Sequence, residues 1–191
     1  MEANRPEESR EAILGAGLGV LFFLFIANVV FAVIGALGYE EGLTDFLGHM
    51  LMAAYAAIVL RLGFAERNYL APGVLLLAAE AAAFVSVYVI RSSPAWLIVP
   101  AAIVSAAGRA LEFGAHSSAV SALSPKLAKR WTRVQAAFCI AMAAVWLALM
   151  LPGTLFALIL GLAAIIALVL VCAAAAMYLR FSYKLFDSAA E

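Results

Sequence analysis

RVQAAFCIAMAAVWLALMLPGTLFALILGLAAIIALVLVCAAAAMYLR, residues 133–180, is the longest apolar stretch of the chain. Between Arg133 and Arg180 no side chain carries a charge. A helix rises 1.5 Å per residue and a bilayer's hydrocarbon core is about 30 Å thick, so roughly 20 apolar residues make one crossing. The stretch is long enough for two. Pro152-Gly153 divides it, because proline lacks an N–H and clashes with the preceding turn while glycine admits a reversal. The reading is a helical hairpin, 134–151 and 154–179, with hydrocarbon as its solvent.

Working outward, the rest of the chain has the same character. Its 191 residues are 67% hydrophobic and 13% charged, against about 45–50% and about 25% in soluble domains. A water-soluble chain of this length lacks the interior to hide so much apolar surface. Four more apolar stretches long enough to cross lie at 12–38, 46–62, 70–90 and 95–123, with Pro72 and Pro94 at helix starts and Ser124-Pro125 as a stop. The fold class is therefore an all-α integral membrane protein, a bundle of six transmembrane helices with short loops. Residues 1–11 form a polar leading segment, 12–179 the transmembrane domain and 180–191 a tail. Residues 12–38 are too long an apolar run for a secretory signal, and the acidic 1–11 is the wrong start for one, despite small residues at Ala36 and Gly38. They are read as an uncleaved first span.

Ten of the twelve basic residues fall on one side of this topology: Arg5, Arg10, Arg61, Arg67, Lys126, Lys129, Arg130, Arg133, Arg180 and Lys184. Arg91 is alone on the other, and Arg109 lies within a span. Positive charge collects on the cytoplasmic side, so both termini are placed there. The alanine-rich composition and short loops point to a prokaryotic cytoplasmic (inner) membrane. Formal net charge is zero and no basic run is interleaved with aromatics, so nucleic acid is not an expected partner. The expected surroundings are the lipid bilayer, with other membrane subunits or a second copy as further partners.

Ionisable groups inside a bilayer are costly, which makes each a functional candidate. Counting helix rise places Glu80 about 15 Å from the inner boundary and Arg109 about 9 Å from it, so a Glu80–Arg109 ion pair between spans is expected. Ser105, Arg109, Glu112 and His116 share one face of the fourth span, spaced so that neighbouring side chains touch. These five residues are the candidate ligand-binding set. The polar stripe continues through Ser117, Ser118, Ser121 and Ser124, and its alternatives are a structural ion-pair network, a solute or proton site opening to the cytoplasm, and a docking surface.

Other features are read more plainly. Glu40, Glu41, Asp45 and His49 form an acidic rim at the opposite end; carboxylates and imidazole are metal-ligand types, but no metalloenzyme spacing is present and an ordinary outside loop is preferred. His49 and His116 lie tens of ångströms apart by helix rise, about the span of the bilayer, which rules out one haem held by both. No cofactor is expected. Cys139 and Cys172 read as small buried hydrophobes. Asn28 calls for an interhelical hydrogen bond. Gln135, Cys139, Met142 and Trp146 share a face that reads as packing. Gly15 and Gly19, and Gly153, Ala157 and Gly161, offer close helix contacts, within the bundle rather than between copies.

No hydrolase elbow, phosphate loop or dinucleotide fingerprint occurs. The preferred function is a non-enzymatic solute-binding or transport component with a buried charged site. The alternatives are an accessory subunit of a larger membrane complex and a membrane-embedded enzyme acting on a lipid through Glu80, Glu112 or His116. The orientation has a direct test. A fluorescent protein that matures only in the cytoplasm should light up when fused after Glu191 and stay dark when fused after Arg91; a dark C-terminal fusion overturns the topology.

Overall fold

A computed structural model describes residues 10–36, 41–92 and 94–190. Among them are six helices long and apolar enough to cross a membrane. α1 spans Arg10–Ala36, α2 Glu41–Leu62, α3 Leu70–Phe84, α4 Ala95–Val120, α5 Pro125–Met150 and α6 Leu155–Ala190. A 3₁₀ turn, Arg67–Tyr69, leads into α3, and a π-helical segment, Val85–Ile90, continues it. Each helix packs on its neighbours in sequence and α6 returns to α1, so the bundle is a closed ring in chain order.

The break at 152–153 is where the sequence puts it, with Gly153 at φ 78°, a left-handed value that glycine adopts without strain. Two helices run further than apolar content alone suggested. α5 begins at Pro125 rather than near Val134, because Ser124 caps it, accepting from the Leu127 N–H at 3.4 Å, and Pro125 suits a first helical position. Its first turns are amphipathic: Leu127, Trp131 and Val134 are buried while Lys126, Lys129, Arg130 and Arg133 face out. α6 continues past Leu179 for the same reason, burying Ser182 and Phe186 in the stretch assigned to a tail. α4, by contrast, ends at Val120 and residues 121–123 form a turn.

Glycines set the helix spacing. Cβ atoms at Gly15 and Gly19 would lie 3.4 Å from Phe186 and 3.9 Å from Tyr183 of α6, so this pair serves packing inside the bundle. Gly161 faces Ala148 across the α5–α6 hairpin, alongside buried Ala157, Ala164 and Ala141. The closest approach to another helix's backbone is at Gly73 of α3, where a Cβ would come within 2.5 Å of the Leu60 Cα in α2.

The two ends of the bundle differ. The end carrying Arg61, Arg67, Lys126, Arg180 and Lys184 is packed solid around Leu14, Leu18, Leu62, Val120, Trp131 and Phe186. Toward the other end buried side chains thin out, and the α5–α6 hairpin exposes Leu149, Leu155, Phe156, Leu158, Ile165 and Leu170 among others. The α2–α3 contact gives a test with a built-in control. Gly73→Ala forces a methyl group against backbone that cannot rotate away and should cost about 1–3 kcal/mol of stability. Gly48→Ala, on α2 with nothing within 4 Å of its Cβ position, should melt no lower than the parent; equal melting of the two variants in mild detergent would refute the close approach.

Candidate functional site

Glu112 is fully buried in the C-terminal half of α4, where two neighbours on its own helix and one side chain of α2 meet it. Its Oε2 accepts from Arg109 Nη1 at 2.8 Å, one turn earlier on the same helix. Its Oε1 accepts from the hydroxyl of Tyr55, which α2 brings in from the side, and from His116 Nε2 at 3.3 Å, one turn later. A carboxylate accepts and does not donate, so His116 carries its proton on Nε2. That leaves Nδ1, in the neutral ring, to accept from the Tyr69 hydroxyl at 2.7 Å. Tyr69 enters from the 3₁₀ turn. The four side chains Tyr55, Glu112, His116 and Tyr69 thus form one hydrogen-bonded chain, each member at most 1% exposed.

Apolar and aromatic groups hold this chain in place. The His116 ring lies 4.5 Å from that of Trp131, whose indole N–H donates to Ser182 of α6 at 3.1 Å. Phe113 stacks on the other part of Trp131 at 5.8 Å. The Arg109 guanidinium sits 4.5 Å over the Tyr55 ring, so that ring offers a π-face to the cation while its hydroxyl serves the carboxylate.

Above Arg109 and Tyr55 lies a partly open cavity of about 600 Å³ to which all six helices contribute. Phe25 and Val29 of α1, Met52 of α2, Phe113 of α4, Phe138 of α5 and Val171 of α6 make its wall apolar. Arg109 and Tyr55 form its floor; Thr44 and Asp45, in the first turns of α2, mark its mouth, and Asp45 is exposed. Glu112, His116 and Tyr69 are not part of the lining. Part-way up, the His49 imidazole pairs with the Glu80 carboxylate between α2 and α3. The same two residues form the inner wall of a smaller cleft of about 260 Å³ between those helices, lined by Met50, Ala53, Leu77, Ala81, Phe84 and Val85.

The candidate residues therefore separate into two groups. Arg109, Glu112 and His116 are brought together as their helical spacing implied. The Glu80–Arg109 pair does not form: each takes a nearer partner, Arg109 its own-helix neighbour three residues on and Glu80 the His49 imidazole of the adjacent helix, and both face one cavity. A partner one turn away on the same helix needs no extension of the side chain across the bundle. Ser105, one turn further along α4, is half-buried and is not among the lining residues. The end of α4 toward which the serines run is sealed, because Trp131, Tyr69 and Val120 fill it; the cavity lies toward the opposite end, where its lining reaches Thr44 and Asp45. Asn28 lines the cavity but donates to Leu24 O of its own helix at 2.9 Å instead of reaching a neighbour, a local bond that satisfies the donor without a partner helix.

Cys139 and Cys172 are free and exposed rather than buried, and Cys172 lines the cavity. Gln135 packs against Gly114 of α4, while Met142 and Trp146 are half-buried. Glu40 and the side chain of Glu41 lie outside the described residues, and among the described residues no three metal-ligating side chains gather. Tyr55, Tyr69 and Trp131 were not singled out by sequence. The available signal was that a tyrosine inside an apolar span, such as Tyr55, must find a hydrogen-bond partner there. No family model, curated protein or solved structure matches the chain.

The ion pair makes a stability prediction. Arg109→Ala leaves a buried carboxylate without its cation and should cost about 3–5 kcal/mol. The double variant Arg109→Met with Glu112→Leu removes both charges at similar volume and should recover more than half of that loss; a double variant as unstable as the single one would show that the pair is not what holds this region.

Proposed function

We propose that this chain is a six-span membrane protein that binds a small amphipathic solute in the cavity between its helices, as a transport component rather than an enzyme. The observation that carries the proposal is the cavity itself: about 600 Å³, apolar-walled, fed by every helix of the ring, with a guanidinium at its floor. Ligand pockets combine such walls with few well-placed polar groups. The surface of the molecule supports the membrane reading. Large apolar side chains are exposed along all six helices, far beyond the isolated patches that water-soluble monomers display, and hydrocarbon is the solvent in which that surface is stable. The excess of basic residues at the sealed end supports placing that end in the cytoplasm, with the cavity opening outward, in a cell (inner) membrane.

A cavity open at one end and packed shut at the other is the form expected of one state of a carrier. Of the acid–base candidates of an enzymatic reading, Glu112 and His116 stand behind the floor, and Glu80, which does line the cavity, is already bound to His49, which favours binding over catalysis. An accessory-subunit role would draw on the exposed α5–α6 face, but lipid covers such a face equally well.

Benzenesulfonamide, an uncharged aromatic probe that fits the volume, tests the site in lipid nanodiscs. Saturable binding by calorimetry is expected for the parent, with a loss of at least tenfold in Gly48→Phe, whose ring enters the cavity from a position with open space at its Cβ, and with melting unchanged. Failure of the parent to bind, or equal binding by Gly48→Phe, would show that the cavity is not the site.

A further inference from the structure

The buried chain Tyr69–His116–Glu112 serves no purpose in holding a solute, since none of its members touches the cavity. It does connect the cavity floor with the sealed end. Glu112 lies eight residues from Val120, about 12 Å along α4. Tyr69, at the far end of the chain, is itself fully buried, so a proton reaches its hydroxyl only when the turn opens; its neighbours in that turn, Arg67 and Asn68, are exposed. Asn68 and Arg10 both bind Glu66 there. Every link has a donor facing an acceptor, and the imidazole in the middle can receive a proton on one nitrogen while releasing one from the other.

We propose that Tyr69, His116 and Glu112 carry a proton from the sealed end to the cavity floor, and that its arrival on Glu112 frees Arg109 to bind the acidic group of an anionic solute. This rests on the cavity being the solute site. The step balances without any further reactant. A solvent proton bonds to the Tyr69 oxygen as Tyr69 gives its own hydroxyl proton to His116 Nδ1. His116 gives its Nε2 proton to Glu112 Oε1, and the ring is left neutral as its other tautomer. The net change is one proton added to the Glu112 carboxylate. Tyr55 can still donate to that oxygen, so the geometry survives, but the charge opposite Arg109 is gone. Arg109 is then a cation at the base of an apolar-walled cavity, held over Tyr55 and offering planar donors that suit a carboxylate or sulfonate. A bound anion restores the neutrality that Glu112 supplied, so proton and anion each favour the other's binding.

Other titratable groups face the same space. Tyr55 and Arg109 complete the floor, Cys172 comes from α6, and the His49–Glu80 pair and Asp45 stand nearer the mouth. The His49 imidazole is the competing proton acceptor, and the experiment separates it from Glu112.

Benzenesulfonate, ionised at every pH used, is titrated into the protein in nanodiscs at pH 8 and pH 6, in two buffers of different ionisation enthalpy so that protons are counted. The parent should bind more tightly at pH 6, by up to tenfold per pH unit, the limit for one linked proton, with uptake approaching one proton per bound anion. Glu112→Gln, which keeps the shape and acceptor but not the charge, should bind equally at both pH values and at least as tightly as the parent does at pH 6, without proton uptake. His49→Gln should retain the uptake whatever its affinity; uptake lost in His49→Gln and kept in Glu112→Gln would move the proton to the wrong pair and overturn the assignment. Tyr69→Phe should keep the equilibrium uptake but slow it at least tenfold in stopped-flow with a pH indicator, and an unchanged rate would refute the path. If benzenesulfonamide binds while benzenesulfonate shows no pH dependence, the coupling falls and the cavity stands. If neither probe binds the parent, both fall.

Discussion

A carboxylate with no access to solvent is the constraint around which this bundle is arranged. Burying the charge of Glu112 costs several kcal/mol unless it is met by opposite charge and hydrogen bonds. Arg109, Tyr55 and His116 meet it at 2.8 Å, in direct contact and at 3.3 Å, and each commits a further part of the structure. Tyr55 ties α2 to α4. His116 requires Tyr69, which ties in the turn before α3, and rests on Trp131, which ties α5 to α6 through Ser182. The polar residues thus link five of the six helices, whose faces are so uniformly apolar that apolar contact alone gives little preference between helix pairs. Small residues then let the backbones close up, with Gly15 and Gly19 bringing α6 onto α1 and Gly73 bringing α3 onto α2.

The same arrangement explains why the ring is solid at one end and hollow at the other. Below Arg109 the interior positions are large: Leu14, Leu18, Leu62, Phe113, Trp131 and Phe186. Above it, α2 presents Gly48 and Thr44, and α6 presents Cys172, to the centre. Six helices in a ring leave an axial space that side chains must fill. Here they fill it only up to the level of the ion pair, so a guanidinium becomes the floor of a cavity. Its depth follows from its place in α4, about 21 Å along the helix from Ala95.

Architecture was legible in the sequence because long charge-free stretches leave a signal that does not depend on packing. Charge-free length, Pro152-Gly153 and the basic residues between spans fix the number of helices without reference to any contact. Helix ends that are amphipathic rather than apolar are invisible to that signal, as the first turns of α5 and the last of α6 show. Spacing within one helix was equally legible, and Arg109, Glu112 and His116 meet as their offsets require. Partners across helices were not. Depth counting put Glu80 and Arg109 within reach of one another, and they do share a cavity, but depth says nothing of rotation about the helix axis. The position of the cavity was not legible for a related reason: the polar stripe of α4 left a structural network, a site opening at that end and a docking surface all open, and it is Trp131 and Tyr69, apolar enough to seal and polar enough to bond, that close that end.

Arg109 takes part in three interactions at once, and they are not independent. It binds Glu112, lies over the Tyr55 ring and faces the cavity. Tyr55 in turn binds Glu112, so cation, aromatic ring and carboxylate form a closed triangle in which each contact orients the other two. Any change of charge on one member must be felt by the rest, because the low-dielectric surroundings screen little. A solute touching this floor meets the whole triangle, not one residue. A floor built this way cannot bind a charged ligand without altering the electrostatic balance of the carboxylate behind it, and that carboxylate is bonded to a histidine on the side away from the cavity. The connection between the two sides of the bundle therefore needs no large movement, only a change in which of two neighbouring groups answers the charge of Arg109.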